Sequence, residues 1–523
     1  MTTRPQHSLT KVAGLLAVTA LVASAIAGCS SAVAEQRGGG SEGGEQVLRI
    51  GATNDIVPAT VFTNSSDTVN TLIGSVYDSL VDYPLDSVDP QPSLATDWTL
   101  SEDGKSLTLN LRDDVTFHSG RDFTSKDVEF SIKTWADPTW TVQLQRTAAA
   151  VTGFDTSDPH AITLQFAHPL SNIFDLLDMV PIIDSESFDQ LKTGEAYVGT
   201  GPFTFESWTP NAKVELAANE DYWDGAPEVD KVEIDIISDP QGQVSALRSG
   251  QVDLITGASN RDLATLAEDS KFDVEQATGA DGQIYVGANV ANPLLKDVRL
   301  RQAVAYALDR DRIVDEVFQG QAAVANSLPW AETSLAYDEE QAKHYFLDVD
   351  KAKKLVEEVG GTKTLPLTYP AGNANYEAVA QIVQANLEEV GIPTELVPVE
   401  YTQFIKQLIG GEFEGLWILQ HNYAQFTPST LAVSAYPFNA DKNASHFVDD
   451  DYKAHSEAAW ERPDGTDAEA LEIYRQLNQD LLDNAFLLEI ATLTPQVATT
   501  SGVSGYTWSK RNELQLDDVT IGG

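Results

Sequence analysis

Polar and aromatic side chains follow several predicted strands of this chain, and their types suit hydrogen bonding to a ligand. They are Asn54 and Asp55 after the first strand, then Asn373 and Tyr401, and finally Gln420, His421, Asn422 and Tyr423. Amide, hydroxyl and imidazole groups can both donate and accept hydrogen bonds. In open parallel sheets, ligands bind beyond the carboxyl ends of the strands. We therefore predict that these residues form a ligand-binding site.

Catalytic and metal-binding chemistry has no comparable support in the sequence. Gly38-x-Gly40-x-x-Gly43 matches a dinucleotide-binding pattern, and Gly39-x-Ser41-x-Gly43 matches a nucleophile elbow. Both lie in a Gly-rich tether without the strand–turn–helix setting that gives these patterns their chemistry. The 8 histidines show no HxxxH or HExxH spacing. We expect no cofactor, no metal and no enzymatic activity, and a secreted hydrolase stays an alternative that activity assays would test.

The sole cysteine, Cys29, ends the run Ile26-Ala27-Gly28-Cys29. A basic start and the apolar stretch 12–28 precede it, and this stretch is too short to cross a bilayer comfortably, as in a signal peptide. The last four residues resemble a bacterial lipobox, whose cysteine thiol accepts a diacylglycerol. We therefore expect residues 1–28 to be a lipoprotein signal peptide, Cys29 the lipidation site and 29–46 a flexible tether. The protein would then lie on the extracytoplasmic side of the cell membrane.

Composition excludes some partners and permits others. The 523 residues suffice for two or more domains of about 150 residues each, and 42% of them are hydrophobic. A formal net charge of −46 repels phosphate backbones and anionic lipid headgroups. We therefore expect no nucleic-acid partner, attachment to the membrane through lipid, and a monomer. With one thiol, a disulfide framework within the chain is excluded.

Strands and helices alternate in the second half of the chain. The hydrophobic pattern predicts strands at 365–369, 394–399 and 416–419 and helices at 376–390 and 402–409. This βαβαβ series predicts parallel strands with right-handed crossovers. Nearer the N-terminus, the Asp103-Gly104 turn between two alternating segments predicts a hairpin. The fold class is therefore α/β.

Six sequence blocks carry a family resemblance. They lie at 94–104, 111–128, 199–203, 219–227, 247–254 and 297–310, and they include FHSG, GTGPF, NEDYWDGAP and DVRLRQA. In this order they resemble the motifs of the extracellular solute-binding proteins of peptide and nickel ABC importers, called family 5 or cluster C. The blocks cover almost the whole chain after the tether.

The resemblance implies a bilobal α/β fold of the periplasmic-binding-protein type II, with an additional domain inserted into lobe I. Lobe I would comprise residues 47–77, 198–288 and 482–523, the inserted domain II residues 78–197, and lobe II residues 289–481. A small solute would bind between the lobes, and the permease subunits of an ABC importer would be the protein partner. A sensor built on the same fold is the alternative function, because fold does not fix function.

One departure from the family pattern bears on the ligand. Peptide-binding members have a "GW.ADY.DP" loop whose aspartate pairs with the α-ammonium of the peptide. Alignment on Pro428 places Ala424 at that aspartate and His421 at the tryptophan, and residues 416–435 contain no Asp or Glu. This loop favours a sugar, an amide-rich metabolite, an organic acid or a metal chelate over an ordinary peptide, and a peptide stays an alternative solute. His421 would bond or coordinate the solute, Tyr401 would stack on it, and Asp55 would be the replacement anchor.

Overall fold

The computed structural model describes residues 45–522, apart from residues 64, 65, 141, 278, 280 and 423 and the side chain of residue 60. The predicted signal peptide, Cys29, the tether up to residue 44 and Tyr423 therefore lie outside the described residues. Three large sheets, of seven, six and four strands, organise the described chain. They belong to lobe I, lobe II and an inserted domain, and this confirms the bilobal α/β fold.

Lobe I is built on the seven-stranded sheet. Its strands in spatial order are Phe272–Gln276, Gln496–Thr500, Leu254–Ile255, Val47–Ala52, Lys231–Ile236, Lys213–Ala218 and Phe203–Thr209. Val47–Ala52 lies parallel to both neighbours, and its alternating Leu48 and Ile50 are fully buried. Helices Asp67–Val76, Pro240–Ser249 and Asn260–Ala267 cover the sheet. Two short strand pairs follow near the C-terminus, Val503–Ser504 with Thr520–Ile521 and Thr507–Trp508 with Leu514–Gln515.

The inserted domain contains an antiparallel four-stranded sheet. Its strands in spatial order are Ala95–Leu100, Ser106–Leu111, Ala161–Phe166 and Val151–Asp158. The predicted hairpin is confirmed, and Gly104 in its turn has a φ of +65°, a left-handed conformation that favours glycine. Four helices complete the domain, Ser125–Ala136, Gln145–Ala149, Ile173–Met179 and Phe188–Thr193, with a small pair of strands at Val81–Asp82 and Gln91–Pro92.

Lobe II is built on the six-stranded sheet. Its strands in spatial order are Ala322–Val324, Leu487–Leu493, Gly282–Ala288, Leu416–His421, Leu365–Pro370 and Thr394–Val399. Leu365–Pro370 is parallel to both of its neighbours, as the βαβαβ pattern predicted. Helices Ala374–Glu389 and Tyr401–Gly410 make the two crossovers. The remaining helices are Val298–Ala307, Arg310–Glu316, Glu339–Ala342, Val349–Glu358, Pro428–Ser434, Asp450–Trp460 and Ala468–Asn484.

The lobe boundaries differ from the expected ones. Strands Gly282–Ala288 and Leu487–Leu493 were expected in lobe I, but they pair with each other in the sheet of lobe II. Gly282–Ala288 also pairs with Leu416–His421 and is buried along its whole length. The sequence blocks identify motifs but do not show which strands pair. They could therefore not locate the points at which the chain passes from one lobe to the other. In the structure the chain passes between the lobes at 277–281 and at 494–495.

Several motifs of the family resemblance meet at Asp78. Its carboxylate accepts hydrogen bonds from Thr200 Oγ1 at 2.7 Å, Tyr222 Oη at 3.0 Å and Trp223 Nε1 at 3.0 Å. Nearby, His118 Nε2 lies 2.9 Å from the carbonyl oxygen of Gly201. The GTGPF, NEDYW and FHSG blocks thus join the inserted domain to lobe I. These residues therefore have structural roles.

Two arginines of the DVRLRQA…LDR block act in the same structural way within lobe II. Arg301 donates to the carbonyl oxygens of Leu295 at 2.6 Å and Asn484 at 2.8 Å. Arg310 donates to the carbonyl oxygen of Glu489 at 2.7 Å. Both guanidinium groups are buried, and burial lowers the pKa of each to about 10. Arg301 fixes helix Val298–Ala307 to the end of helix Ala468–Asn484, and Arg310 fixes helix Arg310–Glu316 to strand Leu487–Leu493.

The Asp78 network gives the fold a specific pH dependence. Burial raises the pKa of Asp78 from 3.8 to about 6. Its contribution to stability is therefore greatest below pH ~4 and is lost as the pH rises through ~6, a change of about 3 kcal/mol. Between pH 4 and 7, the free energy of urea unfolding of Asp78→Asn should rise relative to that of the wild type by about 2 kcal/mol, because the variant lacks the titrating carboxyl group. Asp189→Asn, at a side chain that is 98% exposed, should keep the wild-type profile. Identical profiles for Asp78→Asn and the wild type would contradict this assignment.

Candidate ligand-binding cleft

A cavity of about 320 Å³ lies between the two lobes, next to the second crossing segment. Lobe I and its C-terminal segment contribute Asp67, Asn70, Thr71, Thr256, Trp508, Asn512 and Leu514; lobe II and the crossing contribute Gln420, Asn422, Leu493, Thr494, Pro495 and Gln496. Its volume falls at the lower end of the ~300–1,000 Å³ that is usual for small-molecule sites. Uncharged hydrogen-bonding side chains dominate its walls, so the cavity suits a hydrophilic solute.

Asp67 is the acidic residue among the described walls of this cavity, and its carboxylate is occupied within the protein. It accepts hydrogen bonds from the backbone N–H groups of Thr53 at 2.5 Å and Asn54 at 3.2 Å, and from Thr256 Oγ1 at 2.9 Å. It also begins the helix Asp67–Val76, where a negative charge interacts favourably with the helix dipole. Asp67 thus fixes the loop that follows the first strand and does not act as a free anchor for a cation.

Gln420 and Asn422 form the wall contributed by lobe II. Gln420 Nε2 donates to Asn422 Oδ1 at 3.0 Å, which holds both amides in place. Gly282 makes this possible, because a Cβ there would lie 2.1 Å from Gln420 Nε2 and 2.3 Å from Asn422 Oδ1. These two predicted site residues are therefore brought into the cleft, beside a glycine that the sequence did not single out.

The C-terminal segment supplies wall residues that sequence reasoning missed. Trp508 and Asn512 follow the last long strand, where no hydrophobic periodicity marks the chain. Asn70 Nδ2 donates to the carbonyl oxygen of Asn512 at 3.0 Å, which ties the segment to helix Asp67–Val76. Thr256, Thr494 and Gln496 were also missed. Each follows or begins a strand, but none is part of a recognisable motif.

A smaller cavity of about 50 Å³ lies beside the first crossing segment. It is lined by residues 85–88 of the inserted domain, Gly279 and Asp281 of the crossing, Gln283, Ala331, Thr333, Ser334 and Leu335 of lobe II, Ala424, Gln425, Phe426 and Pro428, and Lys510. Ala424, at the position of the aspartate in the family's peptide-binding loop, is therefore part of a wall. Thr494 Oγ1 of the larger cavity donates to Asp281 Oδ1 of the smaller one at 2.8 Å, so the two cavities adjoin.

Asn54 and Asp55 lie outside both cavity linings. Asp55 accepts hydrogen bonds from Trp208 Nε1 at 2.8 Å and from the backbone N–H of Asn211 at 2.6 Å. Its carboxylate thereby holds the loop after the first strand against the edge of the lobe I sheet. The exposed Asn54 points its amide at Asp67. Within this structure, Asp55 does not replace the missing ammonium anchor.

His421 lies in the core of lobe II and not at the rim of the cleft. Its residue is 4% exposed, and Nε2 is 3.2 Å from Glu489 Oε1. The rings of Tyr285 and Phe438 pack around it at centroid distances of 5.6 and 4.9 Å. Successive residues of a strand point to opposite faces, so Gln420 faces the cleft and His421 faces away. The sequence could not decide between these two registers.

Asn373 and Tyr401 begin the two crossover helices. Asn373 Oδ1 accepts hydrogen bonds from the backbone N–H groups of Asn375 and Tyr376, as an N-cap residue does. Tyr401 is the first residue of its helix and is 52% exposed. Neither residue lines either cavity, so their binding roles stay predictions. Tyr423 lies outside the described residues.

The inserted domain also contacts lobe II directly, through a buried carboxylate. Asp175 accepts hydrogen bonds from Tyr83 Oη at 2.8 Å, from the backbone N–H and Oγ1 of Thr427 at 3.1 and 2.8 Å, and from Thr430 Oγ1. Asn172 Nδ2 donates to Thr430 Oγ1 at 2.9 Å, and Trp460 Nε1 donates to Asn172 Oδ1 at 2.8 Å. Burial raises the pKa of Asp175. We call this set the Asp175 contact.

Apolar packing and one ion pair surround the Asp175 contact. Val433 and Trp460 of lobe II belong to the hydrophobic core of the inserted domain. Arg146 and Asp441 form an ion pair of 2.9 Å at the rim, with side chains 31% and 39% exposed. Any movement that separates lobe II from the inserted domain must break this contact. The cost is concentrated in the buried groups, because exposed ion pairs contribute at most about 1 kcal/mol.

Among residues 45–522, omitting the positions named above, no group of three or more His, Cys, Asp or Glu side chains is arranged to hold a metal ion. None of the helices described here is long and apolar enough to span a bilayer.

Two sheet-based lobes, two chain crossings and a polar cavity between the lobes define the class of solute-binding proteins. The family model for bacterial extracellular solute-binding proteins, family 5 Middle, matches residues 89–443. The chain belongs to this family.

Relatives and solved structures agree with this membership. Heme-binding protein A of Haemophilus influenzae is 29% identical over 68% of this chain and 70% of its own. A probable di/tripeptide-binding protein 5 of Pseudomonas aeruginosa is 30% identical over 68% of this chain and 72% of its own. Among solved structures, the binding protein AgaA of A. tumefaciens R10 in complex with agropinic acid has a TM-score of 0.80 at 22% identity, covering 91% and 99% of the two chains. The Helicobacter pylori protein DppA with a peptide has a TM-score of 0.77 at 23% identity, covering 92% and 98%.

Removing the central carboxylate should weaken the contact between the inserted domain and lobe II. In Asp175→Ala, three hydroxyl donors lose a buried acceptor, at a cost of about 1–3 kcal/mol. Backbone amides in 427–434 should then exchange with deuterium about tenfold faster than in the wild type. The matched rim variant Asp441→Asn should leave this exchange nearly unchanged. Wild-type protection in Asp175→Ala would show that the contact does not hold the two parts together.

Proposed function

We propose that this protein is the receptor of an ABC importer of the peptide and nickel type, held by lipid at the extracytoplasmic face of the membrane. The observation that supports this most directly is the cavity whose walls come from both lobes. It offers neutral hydrogen-bonding groups from Asn70 and Thr256 on one side and Gln420 and Asn422 on the other. A receptor of this kind only binds and releases its solute, so its function requires no lining residue that makes or breaks a bond in the solute.

Such a site couples binding to lobe closure. A solute held by Asn70 and Gln420 together makes both sets of contacts only when the lobes are close. Binding therefore shifts the population toward the closed form. The size of this shift is set by how much more tightly the closed form binds the solute than the open form does. A micromolar Kd requires about 8 kcal/mol, which several hydrogen bonds and contact with Trp508 can supply. The closed form is then the species that a permease would recognise.

The solute is proposed to differ from an ordinary peptide. Ala424, which replaces the expected ammonium-pairing aspartate, is buried in the wall of the smaller cavity. Relatives are named for heme and for di- and tripeptides, and a solved neighbour holds agropinic acid, so the family accommodates several ligand classes. The neutral amides of the larger cavity favour a solute rich in hydroxyl or amide groups.

A thermal-shift screen followed by calorimetry tests this function. Peptides, sugars, organic acids and nickel chelates would be screened for compounds that raise the Tm, since a ligand at 100 times its Kd stabilises by about 2.7 kcal/mol. Gln420→Ala should weaken binding of the best compound roughly tenfold, the loss of one to two hydrogen bonds. Gln381→Ala, an exposed glutamine on helix Ala374–Glu389, should bind like the wild type. Equal affinities for all three proteins would place the site elsewhere.

The lipid anchor is tested separately. Wild-type protein expressed in a bacterial host should partition into the detergent phase of Triton X-114, because a diacylglycerol on Cys29 adds buried CH₂ groups worth about 0.8 kcal/mol each. Cys29→Ser should move to the aqueous phase or the medium. Ser30→Ala, one residue further along, is the control and should stay with the membrane. Retention of Cys29→Ser in the detergent phase would contradict lipidation at this residue.

A further inference from the structure

The smaller cavity contains a buried lysine. Lys510 is 4% exposed and lies where the C-terminal segment meets the inserted domain. Its ammonium group donates to the carbonyl oxygen of Ser87. An ammonium has three donors, and a buried cation is costly unless it is paired and fully hydrogen-bonded. Burial accordingly lowers the pKa of Lys510.

Three carboxylates act on the charge of Lys510: Asp175 and Asp178, which are hydrogen-bonded by other groups, and the exposed Asp86. Asp175 is held by Tyr83, Thr427 and Thr430, as described above. Asp178 pairs with Arg511 at 3.0 Å and accepts from the backbone N–H of Tyr83 at 3.0 Å. In the described part of the chain, no carboxylate forms an ion pair with the Lys510 ammonium. Its Nζ lies 5.7 Å from the centroid of the Tyr83 ring, and the carboxylates act on its charge without forming an ion pair.

Two amide oxygens beside Lys510 also lack partners. Gln283 lines the cavity and is 3% exposed, and among the described residues its Oε1 has no hydrogen-bond partner. The Oε1 of Gln425 is likewise buried and unpartnered, while its Nε2 donates to the carbonyl oxygen of Lys510. An unpartnered buried acceptor costs about 1–3 kcal/mol. Leu85, Leu335 and Phe426 complete the wall and lower the local polarity.

We propose that this cavity binds a carboxylate group of the solute, with Lys510 as its cationic partner. Neighbouring O–H or N–H groups of the solute donate to Gln283 and Gln425. The solute is thus an anionic hydroxy- or amido-acid whose remaining polar groups occupy the larger cavity. This inference rests on the proposed solute-binding function and adds the charge of the ligand. About 50 Å³ is enough for a carboxylate and its adjacent atoms.

Two acids at the same cavity limit the charge that it accepts. Asp281 accepts from Thr494 Oγ1 at 2.8 Å, and Asp86 is exposed. Both repel a second negative charge close to the first, so a monoanion is favoured over a dianion. The charge of the anchoring side chain is thus opposite to that in peptide-binding members of the family. Here a lysine lies near Ala424, the position at which those members have an aspartate.

Matched pairs of acids and their uncharged analogues test the proposal by calorimetry. The probes are D-galacturonate with D-galactose, and N-acetyl-alanyl-alanine with its C-terminal amide. At least one acid should bind the wild type tenfold or more tightly than its uncharged analogue. Lys510→Met should abolish this preference, and Lys510→Arg should retain most of it.

Lys354→Met is the control for a general loss of positive charge, since the Lys354 side chain is 75% exposed on helix Val349–Glu358. It should keep the preference for the acid. The Tm of each unliganded variant separates a folding defect from loss of binding. If uncharged analogues bind as tightly as acids, or if a folded Lys510→Met keeps the preference, this inference fails while the proposed function stands. If no probe of either charge binds, the solute-binding function fails as well.

Discussion

Two hydrogen bonds join the two segments in which the chain crosses between the lobes. Thr494 Oγ1 donates to Asp281 Oδ1, and the backbone N–H of Ala277 donates to the carbonyl oxygen of Pro495 at 2.9 Å. These bonds make the two crossings a single connection, with one cavity beside each segment. The distance between Gln420 in lobe II and Asn70 in lobe I is therefore limited by this connection. Every contact that a solute makes with both lobes depends on it.

The second constraint is the use of buried polar groups at the junctions between domains. Asp78 joins the inserted domain to lobe I, and Asp175 joins it to lobe II. Asp78 accepts hydrogen bonds from three donors of lobe I, and Asp175 accepts them from both the inserted domain and lobe II, so each carboxylate fixes orientation as well as distance. Buried polar groups stabilise a fold less than apolar packing does, but a buried polar group without a hydrogen-bond partner is costly. This cost disfavours arrangements in which the domains are misaligned and the hydrogen bonds are lost.

The sequence predicted those parts of the fold that depend on local periodicity. The parallel strands at 365–370, 394–399 and 416–421, the helices between them and the hairpin at Gly104 all follow from short-range patterns. Gln420 and Asn422 were found because they end a strand. His421 was misplaced because a register shift of one residue reverses the face of a strand, and pattern alone does not fix that register. Lys510, Trp508 and Asn512 were missed because tertiary contacts bring the C-terminal segment to the cleft.

The Asp175 contact has a consequence for the time that a captured solute remains bound. Its hydrogen bonds lie outside both cavities, so they stabilise the association of lobe II with the inserted domain without touching the solute. Affinity differences between related binding proteins arise mostly in the dissociation rate. Substitutions at Thr427 or Thr430 can therefore change the residence time for every solute by the same factor. Selectivity and retention can then evolve at separate places in one molecule.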